Sequence, residues 1–150
     1  MLKEGDTAPD FALESGPGER VTLDDLLADG PLILYFYPAD FTPVCTKEAC
    51  SIRDMHEDID SAGFTVVGVS PQSTSSHDRF RERYDLPFRL LYDDGKKVIR
   101  QFGVDGMLGF GVRRATFVID PDKTIRGRVV SELSVGNHTD FIREAIASAS

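Results

Sequence analysis

The chain has 150 residues, of which 41% are hydrophobic, so it is long enough and apolar enough to fold as one domain and is not mainly disordered. Its 17 basic and 25 acidic residues give a net charge of −8, which works against binding to nucleic acid or to an anionic membrane surface. The longest apolar run, residues 31–38, is too short to cross a bilayer.

The N-terminal residues include acidic side chains and lack the apolar stretch of a secretory signal, so the cytoplasm is the expected location. The chain contains two cysteines, Cys45 and Cys50, which are too few for a secreted disulfide scaffold. In a reducing compartment such a closely spaced pair indicates redox chemistry or metal binding.

The first half of the chain predicts strands that alternate with a helix. Residues 32–37 are almost continuously apolar, which is typical of a strand that is covered on both faces. A helix is expected over residues 43–61, because Thr42 is a favourable N-cap and Pro43 suits the first helical position. Residues 64–70 predict a second buried strand.

The second half continues the alternation. Segments with apolar residues at helical spacing predict helices over residues 78–84, 97–102 and 139–147. Segments rich in branched and aromatic residues predict strands over residues 90–92, 115–119 and 124–130. An Asp-Pro-Asp-Lys turn makes the last two strands a hairpin. The order of elements predicts a single α/β domain over residues 1–150, with a central mixed β-sheet flanked by helices.

Cys45 occupies a chemically favourable position in this scheme. Ligands of α/β sheets bind beyond the carboxyl ends of strands, where a strand leads into a helix. With Thr42 as the N-cap, Cys45 lies in the first helical turn, beside free backbone N–H groups and the positive end of the helix dipole. This position favours a thiolate and makes Cys45 a candidate nucleophile. The alternative is a buried, unreactive cysteine.

The spacing between Cys45 and Cys50 limits what the pair can do. In an intact helix, Cα atoms five residues apart are separated by about 8–9 Å. A disulfide usually requires less than about 7 Å, so a bridge would need local unwinding and would be labile rather than structural. Metal binding is disfavoured because two thiols and the distant His56 do not match a usual zinc spacing. His56, His77 and His138 are expected at the surface or at helix caps.

Residues 35–50, YFYPADFTPVCTKEAC, closely resemble the active-site segment of the peroxiredoxins, specifically of the bacterioferritin comigratory protein or peroxiredoxin Q group. The family pattern P-x-x-x-T-x-x-C is matched by Pro38, Thr42 and Cys45, and the second cysteine of the group is matched by Cys50. This motif is specific, and it carries the resemblance.

The resemblance extends over nearly the whole chain. Residues 5–11 are similar to the opening of the family, and residues 114–120 are similar to its later arginine-bearing strand. Val44 departs from the pattern, because the group commonly has glycine there. This difference affects backbone freedom at the start of the helix and removes no reacting group.

The resemblance implies a thioredoxin-like fold and a thiol-dependent peroxidase that reduces hydrogen peroxide and organic hydroperoxides. Cys45 would be the peroxidatic cysteine, whose thiolate becomes a sulfenic acid. Cys50 would resolve that acid as an intramolecular disulfide, and thioredoxin or a similar dithiol would reduce the disulfide. No metal or cofactor is implied, and the chain would be a monomer or a weak homodimer.

The resemblance also implies a substrate-binding role for four further residues. Thr42 and Arg114 would hold the peroxide oxygens, Glu48 would orient the arginine, and Pro38 would cover the sulfur. Spacing to the following strand favours Arg114 over Arg113 as the family arginine, and strand alternation lets only one of the two face the site.

Two other functions are compatible with parts of the sequence. A general dithiol-disulfide exchanger would use the same fold, but it typically has a C-x-x-C turn. A non-catalytic α/β binding domain is the second alternative. A phosphorylated receiver of that kind needs paired acids to hold Mg²⁺, and Asp24 and Asp25 follow no evident strand.

Overall fold

A seven-stranded mixed β-sheet forms the centre of the computed structural model, which describes residues 1–109 and 111–148. Its strands are β1 (Ala12–Gly16), β2 (Glu19–Thr22), β3 (Leu32–Phe36), β4 (Thr65–Ser70), β5 (Arg89–Tyr92), β6 (Ala115–Ile119) and β7 (Ile125–Val130). The helices are α1 (Leu23–Leu27), α2 (Pro43–Asp54), α3 (His56–Ser61), α4 (Thr74–Tyr84), α5 (Lys97–Phe102) and α6 (Val135–Ala147). The strand order across the sheet is β2-β1-β5-β4-β3-β6-β7.

The central strand β3 ends at the loop that leads into the predicted site. It pairs in parallel with β4 and antiparallel with β6, so the sheet is mixed. All of its residues are buried, as the continuous apolar run predicts. The hairpin of β6 and β7 forms around the turn at residues 120–123, also as predicted.

Side chains of β3 alternate between two cores. Leu34 and Phe36 pack on one face of the sheet with residues of α1 and α5. Ile33 and Tyr35 pack on the other face with residues of α2, α3, α4 and α6. The predicted central sheet with helices on both faces is therefore confirmed. No helix in the described part of the chain is long and apolar enough to span a membrane.

The hairpin of β1 and β2 was not predicted from the sequence. Its residues are mostly half-buried or exposed, and Gly18 adopts φ = 74° in the connecting turn. Asp24 and Asp25 therefore lie two and three residues after the end of β2, and the prediction that they follow no strand is wrong. They occupy the first turn of α1, where Asp25 and the N-cap Thr22 form a reciprocal capping box.

The predicted helix over residues 43–61 is in fact two helices. Met55 interrupts it with φ = −96° and ψ = −2°, between α2 and α3. Ile52, Met55 and Ile59 are all buried, so the apolar periodicity continues across the break and conceals it.

Two helices begin earlier than predicted, because serine side chains cap them. The Ser73 hydroxyl accepts a hydrogen bond from the backbone of Ser76, which starts α4 at Thr74 rather than at residue 78. Ser134 caps α6 in the same way, through the backbone N–H of Asn137, so that this helix starts at residue 135 rather than 139.

Candidate active site

The loop between β3 and α2 carries two of the predicted site residues, Pro38 and Thr42. Thr42 is the N-cap of α2, with φ = −75° and ψ = 150°, and Pro43 is in the first helical turn, as predicted. The Thr42 hydroxyl makes no capping bond to the helix and instead donates to the carbonyl oxygen of Ala39, 3.0 Å away. Pro38 and Thr42 are both half-buried.

Cys45 lies in the first turn of α2 and is only 1% exposed. The Arg114 guanidinium reaches it from just before β6, and its Nη2 donates to Sγ at 3.2 Å. Arg113 points elsewhere: its Nε pairs with Glu132 at 3.2 Å and its side chain is half exposed. The structure thus brings Arg114, and not Arg113, to the sulfur.

Glu48, one turn after Cys45, joins the same cluster. Its Oε1 accepts a hydrogen bond of 2.9 Å from Nη1 of Arg114, and its side chain is fully buried. Burial, opposed by the charge of Arg114, raises the pKa of Glu48 to about 7. Burial lowers the pKa of Arg114, whereas the charge of Glu48 raises it. The net pKa lies above the ordinary value for arginine, so the guanidinium stays charged.

Cys50 lies further along α2 and is half-buried. Both cysteines are free thiols on one continuous helix. Helical geometry keeps the Cα atoms of residues with this spacing about 8–9 Å apart. A bond between Cys45 and Cys50 therefore requires the helix to open.

A second buried polar cluster, which no motif in the sequence indicates, holds the loop in place. Asp40 accepts hydrogen bonds of 2.6 Å from the hydroxyls of Tyr37 and Ser76. Its Oδ2 also lies 2.8 Å from Nδ1 of His77, whose Nε2 is 3.1 Å from the carbonyl oxygen of Leu91. These contacts tie the loop to α4 and β5.

Two of the histidine predictions are wrong. His77 is 1% exposed and His138 is fully buried, so neither is a surface residue, and neither is the cap residue of its helix. Nδ1 of His138 lies 2.8 Å from the Thr116 hydroxyl and 3.6 Å from Oε2 of Glu48, which places this ring behind the predicted site. Both histidines hydrogen-bond to buried polar groups that tertiary packing brings next to them. No local pattern in the sequence indicates such contacts.

A cavity of about 600 Å³ lies away from these residues. It is lined mainly by the β1–β2 hairpin, the end of β5 and α5, and none of the six predicted site residues lines it. Within residues 1–109 and 111–148, no group of three or more histidine, cysteine, aspartate or glutamate side chains is arranged to hold a metal ion.

Comparison with known proteins places this arrangement in a family. Residues 4–128 match the profile of the AhpC/TSA family. Peroxiredoxin Bcp of Bacillus subtilis is 39% identical over 151 residues, a match that covers 97% of this chain and 93% of that protein. Both findings agree with the motif at residues 38–45.

Solved structures give the same result. Peroxidoxin BcpB of Mycobacterium tuberculosis has a TM-score of 0.92 and 38% identity, with 99% of this chain and 98% of that chain covered. The bacterioferritin comigratory protein of Xanthomonas campestris, from a study of its alkyl peroxide reduction activity, has a TM-score of 0.84 and 30% identity, with 93% and 92% covered. These matches confirm the thioredoxin-like fold. The chain belongs to the AhpC/TSA family and groups there with the Bcp and Q peroxiredoxins.

Proposed function

We propose that this peroxiredoxin reduces hydrogen peroxide and organic hydroperoxides through a sulfenic acid on Cys45, which Cys50 resolves as an intramolecular disulfide. The observation that carries the proposal is the 3.2 Å contact between the guanidinium of Arg114 and the buried sulfur of Cys45 at the start of α2. A cation and a helix N-terminus together favour the thiolate, which is the nucleophilic form of cysteine.

In the first step, the Cys45 thiolate attacks the terminal oxygen of the hydroperoxide. A sulfur–oxygen bond forms, the oxygen–oxygen bond breaks, and the leaving oxygen takes up a proton to become an alcohol or water. Sulfur is oxidised to the sulfenic acid while the peroxide is reduced. Arg114 Nη2, already 3.2 Å from Sγ, is positioned to stabilise negative charge that moves onto the leaving oxygen.

Thr42 suits the role of a hydrogen-bond acceptor for the peroxide. Its hydroxyl proton is already given to the carbonyl oxygen of Ala39, so a lone pair of Oγ1 is left to accept the O–H of the substrate. The half-buried Pro38 lies in the same loop and would limit the access of water to the sulfur.

In the second step, the Cys50 thiol attacks the sulfenic sulfur, a disulfide forms and water leaves. A dithiol then reduces the disulfide by exchange, and thioredoxin or a similar protein is the proposed reductant. Such a contact is expected to be transient and small. We expect the protein to act in the cytoplasm, as a monomer or a weak homodimer.

Mass spectrometry of cysteine variants after one equivalent of peroxide tests this function. The wild-type protein should lose two hydrogens, Cys50→Ser should gain one oxygen, and Cys45→Ser should remain unchanged. Normal steady-state turnover of Cys50→Ser with thioredoxin as the sole reductant would contradict the resolving role of Cys50. Disulfide exchange without any consumption of peroxide would instead identify a general dithiol exchanger.

A further inference from the structure

Two acidic groups share one buried cation at this site. Arg114 donates from Nη2 to Sγ of Cys45 at 3.2 Å and from Nη1 to Oε1 of Glu48 at 2.9 Å. Cys45 is 1% exposed and Glu48 is fully buried. Among the described residues, no lysine and no second arginine forms an ion pair with Glu48. One positive charge therefore compensates only one of two potential negative charges.

The second carboxyl oxygen of Glu48 is in an unusual position. Oε2 is buried and has no hydrogen-bond partner within the described ranges, and Nδ1 of His138 is 3.6 Å from it. Nε2 of His138 lies 2.8 Å from the carbonyl oxygen of Ser131, which can only accept, so Nε2 carries a hydrogen. Nδ1, at 2.8 Å, then accepts from the Thr116 hydroxyl.

The protonation state of His138 determines whether Nδ1 can donate a hydrogen bond to Oε2 of Glu48. Burial lowers the pKa of His138, so the ring is neutral and Nδ1, which accepts from Thr116, has no hydrogen to donate to Oε2. An ionised Oε2 would therefore be buried without a hydrogen-bond donor, which disfavours the carboxylate relative to the carboxylic acid. Burial acts in the same direction, since it raises the pKa of Glu48 to about 7 against the opposing effect of Arg114.

Tyr35, a further titratable neighbour of the cluster, is neutral. Tyr35 reaches the site from β3, and burial together with the charges of Glu48 and Cys45 raises its pKa well above the ordinary value. With Tyr35 and His138 both uncharged, the buried charges of the cluster are those of Arg114, Cys45 and Glu48. The carboxylate of Glu132 accepts from the backbone N–H of Arg114, but it is exposed and pairs with Arg113.

We propose that Glu48 carries a proton while Cys45 is a thiolate and loses it when Cys45 becomes a sulfenic acid. The inference rests on the proposed function, because it takes Cys45 as the reacting sulfur. Arg114 then pairs with the thiolate before the reaction and with the Glu48 carboxylate after it, and the cluster is electrically neutral in both states. Glu48 is thus a positioning residue that acts through Arg114.

The step balances without a further co-reactant. Cys45–S⁻, Glu48–COOH and ROOH give Cys45–SOH, Glu48–COO⁻ and ROH. The sulfur–oxygen bond forms as the oxygen–oxygen bond breaks, and the proton that Glu48 loses equals the proton that the leaving oxygen gains. An ionised Glu48 in the reduced protein would instead leave two buried anions on one guanidinium, which is costly in a low-dielectric site.

Infrared difference spectroscopy of Cys50→Ser, before and after one equivalent of peroxide at neutral pH, tests this proposal. Protein labelled with carbon-13 glutamate identifies the signal, because Glu48 is the one buried glutamate among residues 1–109 and 111–148. We expect the C=O band of one protonated carboxylic acid to disappear and a carboxylate band to appear, with both bands shifted by the label.

The same sample, checked by mass spectrometry, separates the possible failures. A sulfenic acid on Cys45 without a change in the carboxylic acid band would mean that Glu48 keeps one ionisation state, and the proposal would be overturned while the peroxidase function stands. Absence of the sulfenic acid would overturn the peroxidase function and this proposal together. The double variant with Cys45→Ser and Cys50→Ser is the control and should give no band change.

Discussion

Arg114 is fixed by the protein before any substrate arrives. Its Nε donates to the carbonyl oxygen of Glu132 at 3.2 Å, its backbone N–H donates to the side chain of the same residue, and its Nη1 bonds to Glu48. These bonds leave both N–H groups of Nη2 for the sulfur and, in the proposed reaction, for the peroxide. A donor that is already oriented needs little reorganisation when charge develops in the transition state.

Arg114→Ala and Arg113→Ala form a matched pair of variants at this position. Loss of the Arg114 guanidinium should slow the reaction of Cys45 with peroxide by about 100- to 1,000-fold, because one preorganised donor is removed. Arg113 makes only a partly exposed ion pair, so its loss should change the rate by less than about fivefold. Stopped-flow measurement of the first step checks both, and equal effects of the two variants would contradict the assignment.

The raised pKa of Glu48 makes stability depend on pH. The folded-state pKa of about 7 lies above the reference value of 4.5, so the folded protein binds a proton more tightly than the unfolded chain does. The resulting stabilisation is present in full below the unfolded pKa and is lost as pH rises through about 7, and it amounts to roughly 3 kcal/mol. His138 acts in the opposite direction, because the pKa of this buried ring is lowered.

Glu48→Gln isolates this effect, because the amide does not titrate and His138 is retained. Urea unfolding at pH 5 and at pH 8 should give a wild-type free energy of unfolding that falls, relative to that of Glu48→Gln, by roughly 2–3 kcal/mol over this interval. A difference between the two proteins that is the same at both pH values, or that grows with pH, would contradict the assigned pKa.

At the scale of elements, helix α2 has to open for the proposed cycle to proceed. It runs without interruption from Pro43 to Asp54 and contains both thiols. We expect the amide hydrogens of residues 44–50 to exchange at least about tenfold faster in the disulfide form than in the reduced protein, which corresponds to about 1.4 kcal/mol of lost protection. Hydrogen exchange with mass spectrometry measures this.

The rest of the molecule provides the internal reference for that experiment. Amides of β3 and β6, which pair in the centre of the sheet, should exchange at the same rate in both redox forms. Cys50→Ser treated with the same peroxide should retain protection in α2, since it cannot form the bridge. Unchanged protection of residues 44–50 in the disulfide form would contradict the opening of the helix.

Elements with a strong local signal could be predicted from the sequence, and elements that depend on distant partners could not. Strands β3 and β6 are continuous apolar runs because helices cover both of their faces. The β1–β2 hairpin is amphipathic and short and lies at the edge of the sheet, so its composition resembles that of a loop. The break at Met55 is hidden by an apolar pattern that continues across it.

The same division applies to the site. Cys45 could be recognised from its motif. Arg114 could be assigned because residues 114–120 resemble the arginine-bearing strand of the family. Asp40 and His77 are 37 positions apart in the sequence, so their contact could not be predicted. The fold brings Oδ2 of Asp40 to 2.8 Å from Nδ1 of His77. Nothing near His138 in the sequence indicates that its ring packs next to the carboxyl group of Glu48.

At the scale of the whole molecule, the sheet is shared by two apolar cores. Phe102 packs on one face, with its ring centroid 5.0 Å from that of Phe36 and 5.2 Å from that of Phe117. Ile142 is fully buried on the other face. Because strands β3 and β6 contribute alternate side chains to both cores, loss of one core removes support from the other.

We therefore expect residues 1–150 to unfold as one cooperative unit. Phe102→Ala should cost about 3–5 kcal/mol and Ile142→Ala about 2–5 kcal/mol, although they remove contacts on opposite faces. Far-ultraviolet circular dichroism reports on all helices, whereas tyrosine fluorescence reports in part on Tyr35 and Tyr37, which belong to the Ile142 face. In each variant the two signals should change at the same urea concentration, because either substitution weakens the shared sheet. If Phe102→Ala lost ellipticity at a lower urea concentration than fluorescence, the two faces would be separate folding units.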